Sequence, residues 1–242
     1  MKTTVTLVLP SLALAAAMTT RLAGAETLEQ KAKIEGTSVE YKVVLPNDYD
    51  AKRAYPAILV FGGGPQTMNT VDNALNRNFR AEAEKRGYIV VAPAAPNGNL
   101  FFERGARIFP QFLDKILADY KIEQNKFHIA GPSNGGIAAF HVAATHPSYF
   151  LSVTAFPGYM WQPSAEKLQA IKDLCVFAYV GELDEYRWHS EMKREVDYLS
   201  SLGTVARYSE EKGQPHRLET LADDNATRLF DGFEQARRSC RR

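Results

Sequence analysis

The sequence predicts an α/β fold, in which a mostly parallel sheet of about eight strands carries helices on both faces. From residue 56 onward, short apolar runs alternate with segments of helical period, and this alternation is typical of a parallel sheet covered by helices. The 242 residues are 45% hydrophobic and 24% charged, which is the composition of one globular domain. The chain has no internal repeat and no low-complexity tract.

The elements follow in order along the chain. Segments 32–36 and 38–45 predict a hairpin with Gly36 near its turn. Further strands are predicted at 56–64, 88–93, 126–131, 151–158, 175–181 and 205–211. Helices are predicted at 70–87, 107–120, 135–146, 164–171, 185–203 and 224–239. Gly87 and Pro147 mark helix ends, whereas Pro110 leaves the start of its helix open.

The first 25 residues have the pattern of a secretory signal peptide. Lys2 precedes an Ala- and Leu-rich run, and Ala23-Gly24-Ala25 forms a small-residue cleavage pattern. The run is too short for a stable membrane span, which disfavours an uncleaved anchor. We therefore expect cleavage before Glu26 and a secreted or periplasmic protein without a membrane anchor.

The charge balance points to no polyanionic partner. Removal of the leader, which carries Lys2 and Arg21 and no acid, leaves 27 basic residues against 28 acidic ones. A net charge near −1 gives no reason to expect a nucleic acid or an anionic membrane as partner. The oligomeric state is left open.

Two cysteines, Cys175 and Cys240, allow one disulfide in an exported protein. Cys175 opens an apolar strand, whereas Cys240 lies in a polar tail. A buried thiol and a free tail cysteine are therefore the alternative. The sequence also contains no cluster with metal-ligand spacing, so neither a metal nor another cofactor is predicted.

The stretch GPSNG places Ser133 in a G-x-S-x-G pattern between a buried strand and a helix. This is the setting of a nucleophile elbow, a sharp turn that presents a serine hydroxyl above the sheet edge. The helix that starts at Asn134 directs backbone N–H groups toward the same point.

A nucleophilic serine needs a base and an acid that orients the base. Of the five histidines, only His216 lies in a loop between a late strand and the last helix, from where it can reach Ser133. Asp184 follows the strand that ends at Gly181 and is favoured as the acid. Glu182 and Glu185 remain alternatives.

An oxyanion hole requires two backbone N–H donors. Asn134, the residue after the serine, is predicted to supply one of them. The glycine triplet after the third strand is predicted to supply the other, with Gly63 as first choice and Gly64 as second. The triplet lacks the Lys-Ser/Thr spacing of a P-loop.

Together, FGGG, GPSNGG, GELD and GQPH occur in the order of the α/β-hydrolase superfamily, which the chain resembles over nearly its whole length after residue 25. Within it, the sequence is similar to small secreted esterases related to polyhydroxybutyrate depolymerases and feruloyl esterases. It departs from many relatives at Phe61, where they have His, and at Pro215, where they have Gly. The resemblance implies a catalytic domain over 26–242 that cleaves carboxylic esters through Ser133, Asp184 and His216.

The segment after the sixth strand is short, so no large cap is expected over the cleft. Aromatic side chains in the loops are predicted to bind the substrate, an ester monomer or oligomer: Phe101, Phe102, Tyr159, Trp161 and Trp188. A peptidase or an acyltransferase of the same fold is an alternative. A non-catalytic binding protein is another, which the complete set of serine, acid and histidine argues against.

Overall fold

The structure is a computed structural model that describes residues 26–240, so the predicted signal peptide lies outside the described residues. The strands are β1 (Thr27–Ile34), β2 (Thr37–Val44), β3 (Tyr55–Val60), β4 (Ile89–Pro93), β5 (Ile122–Gly131), β6 (Phe150–Ala155), β7 (Cys175–Gly181) and β8 (Ala206–Glu211). They form one sheet in the order β1-β2-β4-β3-β5-β6-β7-β8. Only β2 runs against the other strands, which confirms the mostly parallel sheet of eight strands.

Helices cover both faces of this sheet, as predicted. They are α1 (Met68–Ala74), α2 (Arg80–Arg86), α3 (Gln111–Asp119), α4 (Asn134–Thr145), α5 (Ala165–Ala170), α6 (His189–Ser201) and α7 (Thr227–Ser239). Apolar residues of α3, α4, α5 and α6 share one core with the sheet. Those of α1, α2 and α7 form the core on the opposite face. The result is the three-layer α/β-hydrolase architecture that the sequence resemblance implied.

Several boundaries differ from the predicted ones for physical reasons. β1 begins at Thr27, five residues earlier than predicted, because this polar edge strand is held by backbone pairing with β2 and not by burial. The predicted helix 70–87 is interrupted by one π-helical turn, Leu75–Phe79, which separates α1 from α2. α6 begins at His189 and not at residue 185.

Two features of the fold lie near β7: a short segment before it and a disulfide at its start. The segment 156–174, between β6 and β7, contains only the six-residue helix α5, so the expectation of no large cap is confirmed. A disulfide joins Cys175, at the start of β7, to Cys240, directly after α7, with 5.9 Å between the Cα atoms. The sequence had left this pairing open.

Candidate active site

Ser133 occupies a sharp turn between β5 and α4. Its φ of 55° and ψ of −126° lie in a region that non-glycine residues rarely adopt. The neighbouring Gly135 has no room for a side chain, since a Cβ there would collide with the carbonyl oxygen of Phe61 and lie 2.8 Å from that of Gly62. The turn predicted from GPSNG is therefore present, and close backbone packing holds it in place.

The structure brings the predicted serine, histidine and acid into one line of contacts. His216 Nε2 lies 2.9 Å from Ser133 Oγ, and His216 Nδ1 lies 2.9 Å from Asp184 Oδ2. The Asp184 side chain is fully buried, and its Oδ1 accepts a hydrogen bond from the backbone N–H of Tyr186. A buried carboxylate held in this way orients the imidazole and fixes which ring nitrogen carries the proton.

The two alternative acids instead hold the backbone of the histidine loop. Glu182 Oε2 accepts from Gly213 N at 2.8 Å, and Glu185 Oε2 accepts from His216 N at 3.2 Å. Hydrogen bonds from backbone N–H groups, first its own and then that of His216, lower the pKa of Glu185. The geometry thus selects Asp184 as the partner of the imidazole ring.

Two aromatic rings pack against the imidazole of His216. The Trp188 ring lies edge-on at 4.9 Å between centroids, and the exposed Tyr186 ring lies at 4.6 Å. The Tyr159 ring in turn packs edge-on against Trp188, with 5.0 Å between the ring centroids. These contacts restrict the rotation of the imidazole and shield it from water. Tyr186 was not singled out from the sequence.

The glycine loop after β3 lies against the serine turn. A Cβ added to Gly63 would be 3.2 Å from the Pro132 carbonyl oxygen and 3.7 Å from Ser133 Cβ. Within residues 26–240, the N–H groups of Gly63 and Asn134 donate to no protein acceptor. Gly64, at φ +53°, accepts a hydrogen bond from Asn134 Nδ2 through its carbonyl oxygen. The two predicted donors are therefore close to Ser133, and Gly63 is the nearer glycine.

Gln66 is a site residue that sequence reasoning missed. It is fully buried, and its Oε1 accepts from Phe101 N while its Nε2 donates to Asn134 O. Its backbone N–H donates to Gly63 O, and its carbonyl oxygen accepts from Ala95 N. One side chain thus connects the glycine loop, the serine turn and the segment after β4. The only sequence signal was its place two residues after the glycine triplet.

Of the other histidines, none lies in contact with Ser133. His128 is buried in β5, where its Nδ1 lies 2.7 Å from Ser152 Oγ, and burial lowers its pKa to about 3. His189 Nε2 lies 2.7 Å from the carbonyl oxygen of Gly181, at the end of β7. Burial also lowers the pKa of His141, in the second half of α4, and that of His146, which directly follows α4. The choice of His216 agrees with this geometry.

Two of the five aromatic residues predicted to bind the substrate are buried in the core. Phe101 has no exposed surface and packs on Phe61, with 4.8 Å between ring centroids, so the prediction for Phe101 is wrong. Phe102 is also buried, against Trp161. Burial in the apolar core removed both phenylalanines from the surface, which their loop position in the sequence did not reveal. Tyr159, Trp161 and Trp188 are partly exposed, and their role stays a prediction.

A cleft of about 270 Å³ opens beside Ser133, and we refer to it as the serine cleft. Gly63, Ser133 and His216 line it where the predicted chemistry would occur. Its apolar lining is Ala74, Pro132, Phe156, Pro157 and Leu218, and its polar lining is Thr70, Asn73, Arg77, Asn78 and Arg217. None of the five predicted aromatics lines this cleft, which instead is built mainly from α1, the π-helical turn and the loop after β8.

A buried carboxyl group supports the loop after β6. Glu195 on α6 is almost fully buried, and its Oε2 accepts from the backbone N–H of Met160 at 2.9 Å. Its Oε1 is buried without a hydrogen-bond partner. Burial raises the pKa of Glu195 to about 7, so this support is protonated below neutral pH.

The described residues contain neither a cluster of metal-ligating side chains nor a membrane-spanning helix. Between residues 26 and 240, no three His, Cys, Asp or Glu side chains are grouped so that they could hold a metal ion. No helix in the same range has the length and apolar character that a membrane crossing requires.

The Esterase family, whose description is "Putative esterase", matches residues 106–228. The chain belongs to this family. The matched segment contains Ser133, Asp184 and His216, which the structure brings together. As a member of the Esterase family with an α/β-hydrolase fold, the protein is a hydrolase.

A curated relative of this esterase-family chain is a longer protein. Dipeptidyl-peptidase 5 of Porphyromonas gingivalis is 32% identical over 130 residues, which cover 48% of this chain and 19% of the relative. The chain therefore matches about a fifth of the length of that protein.

Solved structures of similar fold include two esterases. A thermostable esterase superposes with a TM-score of 0.69 at 19% identity, covering 89% of this chain and 63% of the other. The feruloyl esterase module from Clostridium thermocellum, in complex with sinapinate, superposes with a TM-score of 0.63 at 16% identity, covering 81% and 83%. At these identities the likeness shows the fold.

Proposed function

We propose that the protein is an exported serine esterase that cleaves carboxylic esters through an acyl-enzyme intermediate. The observation that carries the proposal is the line of contacts from Ser133 Oγ through the His216 ring to the buried Asp184, with 2.9 Å at each step. Membership of the Esterase family supports ester hydrolysis as the reaction.

In the first half-reaction, Ser133 Oγ attacks the ester carbonyl carbon while its proton passes to His216 Nε2. The carboxylate of Asp184 accepts the Nδ1–H hydrogen bond and stabilises the imidazolium that forms. The tetrahedral oxyanion accepts hydrogen bonds from the N–H groups of Gly63 and Asn134. Collapse of the intermediate breaks the bond to the alkoxy oxygen, which takes the proton from His216, and leaves an acyl-serine.

In the second half-reaction, water attacks the acyl-serine carbonyl. His216 takes a proton from the water and returns it to Ser133 Oγ as the acid leaves. Every proton transfer uses the same imidazole, which Trp188 and Tyr186 keep in place. No cofactor is needed in this scheme.

The test is a panel of nitrophenyl esters of rising acyl length, a feruloyl ester and hydroxybutyrate oligomers, assayed with wild type and Ser133→Ala. We expect kcat to fall by at least about 10³-fold in the variant. Ser190→Ala, on the exposed start of α6, is the matched control and should retain activity. Ester turnover that persists in Ser133→Ala would refute the proposal.

A peptidase is the second candidate, because the curated relative is named Dipeptidyl-peptidase 5. The same serine, histidine and aspartate could attack a peptide carbonyl. A dipeptidyl nitroanilide added to the panel separates the two functions. A higher kcat/KM on the anilide than on every ester would favour the peptidase.

Export is part of the proposal. The signal-peptide pattern of residues 1–25 supports it, and so does the disulfide between Cys175 and Cys240, since disulfides persist in oxidising compartments. Mass spectrometry of the protein from its native cells should find Glu26 at the N-terminus. An intact Met1 would contradict cleavage.

A further inference from the structure

The serine cleft carries two arginines next to the proposed nucleophile. Arg77 and Arg217 both line it, together with Ser133 and His216. Arg217 directly follows His216 in the chain, so the loop that supplies the imidazole also supplies a guanidinium group. A cleft of about 270 Å³ is small for a ligand site, which favours a short substrate group over a polymer chain.

Arg77 reaches the cleft from an irregular part of the fold. It is the central residue of the π-helical turn Leu75–Phe79, between α1 and α2. π-Helical turns are rare and are frequently found at functional sites. The Arg77 side chain is mostly buried, with 22% of it exposed. A cation held at this depth beside a cleft is well suited to bind an anion.

The local charge does not balance. Arg77 Nη2 lies 2.9 Å from Glu219 Oε2, and Arg217 Nε lies 3.8 Å from Glu219 Oε1. Two positive charges thus share one carboxylate, which is itself 60% exposed. Arg77, Arg217 and Glu219 together carry a net charge of one positive unit. Each guanidinium group also retains N–H donors that do not bind Glu219.

The rest of the lining sets the form of the ligand. Ala74, Phe156 and Leu218 give the cleft an apolar wall, and an apolar wall accommodates a short hydrocarbon spacer. Asn73 adds an exposed amide at the same cleft. The combination matches a molecule with an ester at one end, a few methylene groups, and an anion at the other end.

We propose that the serine cleft binds a carboxylate, and that the preferred substrates are small esters that carry a free carboxylate group. Arg77 and Arg217 recognise this group through charge-assisted hydrogen bonds, while the ester carbonyl lies at Ser133 Oγ. The proposal rests on the esterase function above. It adds a substrate class and assigns two specificity residues.

The test compares esters that differ only in this group. For a carboxylate on the acyl side, mono-nitrophenyl adipate is paired with nitrophenyl 6-methylheptanoate, in which an isopropyl group replaces the carboxylate. For a carboxylate on the alcohol side, 4-acetoxybutanoate is paired with 4-methylpentyl acetate. The measured quantity is the ratio of kcat/KM within each pair, at low and high salt.

In the wild type we expect a ratio of about 10 or more in favour of the carboxylate in at least one pair, falling as salt screens the charges. Arg77→Gln and Arg217→Gln should each reduce that ratio by about tenfold. The pair that responds identifies the side of the ester that enters the cleft.

Arg194→Gln is the matched control. Arg194 is 66% exposed and lies 3.9 Å from Glu191, whereas Arg217 is 68% exposed and lies 3.8 Å from Glu219. The control removes the same charge from an equivalent pair on α6, outside the serine cleft, and should leave the ratio unchanged. A melting curve for each variant verifies folding, and Arg217→Gln alone still tests the proposal if Arg77→Gln fails to fold.

The outcomes separate this proposal from the proposed function. Hydrolysis of the neutral esters with no preference for the carboxylate would overturn the specificity and leave the esterase intact. A preference that survives both arginine variants would also overturn it. If no ester is cleaved, the esterase function fails, and calorimetric binding of adipate still decides the carboxylate site: binding that Arg217→Gln weakens supports it, and no binding refutes it.

Discussion

The serine turn and the loops that bring Asp184 and His216 to it are built in different ways. The turn is fixed by backbone packing: β5 and α4 cross the end of β3 so closely that Gly135 admits no Cβ. The acid and histidine loops are also closely packed, since a Cβ at Gly181 would collide with the Pro215 carbonyl oxygen. In addition, the Glu182 and Glu185 side chains accept hydrogen bonds from the loop backbone. Close contact therefore shapes both halves of the site, and the half with Asp184 and His216 adds two carboxylates that hold its backbone.

This difference predicts different sensitivities. A small increase in side-chain volume at Gly135 should disable the serine turn, whereas changes of charge should act mainly on the acid and histidine loops, where carboxylates hold the backbone. The following variants test the two halves, from the largest expected effect to the smallest.

Gly135→Ala should have the largest effect. The added Cβ would collide with the Phe61 carbonyl oxygen and would displace Ser133 from His216. We expect kcat to fall at least about 100-fold and the free energy of unfolding to fall by about 1–3 kcal/mol. Gly232→Ala is the control, since its Cβ would make ordinary contact with Phe177 at 3.6 Å. Equal activities of the two variants would contradict the role of packing.

Gln66→Met should have the second-largest effect on kcat, since it keeps the length of the side chain and removes both of its hydrogen bonds. The N–H of Phe101 would lose its acceptor, and the glycine loop would lose its connection to Asn134. We expect kcat to fall about 10-fold or more, with a smaller change in KM, and a stability loss of about 1–3 kcal/mol.

One further variant of Gln66 and one control variant separate a role in activity from a role in stability. Gln66→Glu retains an acceptor for Phe101 N, and its protonated form can still donate to Asn134 O, so its activity relative to wild type at the same pH should rise as the pH falls. Gln162→Met is the matched control, because Gln162 is exposed and also has a positive φ, of 49°. A loss of stability without a loss of kcat would limit Gln66 to a structural role.

Glu211→Gln should change stability in a pH-dependent way beside the acid and histidine loops, since the Glu211 carbonyl oxygen accepts hydrogen bonds from Glu182 N and Gln214 N. A hydrogen bond from Arg228 lowers the pKa of Glu211 to about 2, from an ordinary value of 4.5. The stabilisation is therefore complete above pH 4.5 and is lost as the pH falls toward 2. We expect the variant to be about 1–2 kcal/mol less stable at pH 7, with a difference that shrinks in acid. Unfolding by urea across this range measures it, with the exposed Glu210→Gln as control.

Glu185→Ala should have the smallest effect. Glu185 is exposed and accepts a hydrogen bond of 3.2 Å from His216 N, and exposed contacts of this kind contribute little. We expect kcat/KM to fall about two- to threefold. The exposed Glu166→Ala on α5 should change nothing. A loss of kcat/KM in Glu185→Ala as large as that in Gly135→Ala would show that the histidine loop depends on this carboxylate as strongly as the serine turn depends on close packing.

The same contrast explains what could be predicted from the sequence. The serine turn could be predicted because glycine spacing next to Ser133 reports a backbone constraint directly. The alternation of strands and helices likewise predicts the parallel sheet. The sequence favoured Asp184 from its position after the strand but left Glu182 and Glu185 as alternatives, because three carboxylates within four residues have side-chain directions that only the structure gives.

Other features of the site could not be predicted, because no local sequence pattern indicates them. Gln66 acts through contacts with residues far along the chain, and Phe101 looked like a loop aromatic until packing placed it in the core. Arg77 belongs to a segment whose pattern is helical throughout, so the π-helical turn that accompanies its position at the cleft was not predictable. These are consequences of tertiary contacts, which single-sequence patterns do not report.

The disulfide closes a covalent ring from Cys175 to Cys240, 65 positions apart. Asp184, His216 and Arg217 lie inside this ring, whereas Ser133 and Arg77 lie outside it. If a protease cuts one exposed loop within the ring, the fragments stay covalently joined and Asp184 and His216 remain part of one molecule. A cut on the other side of Cys175 has no such protection. The half of the site that contains Asp184 and His216 is thus the half secured by a covalent bond.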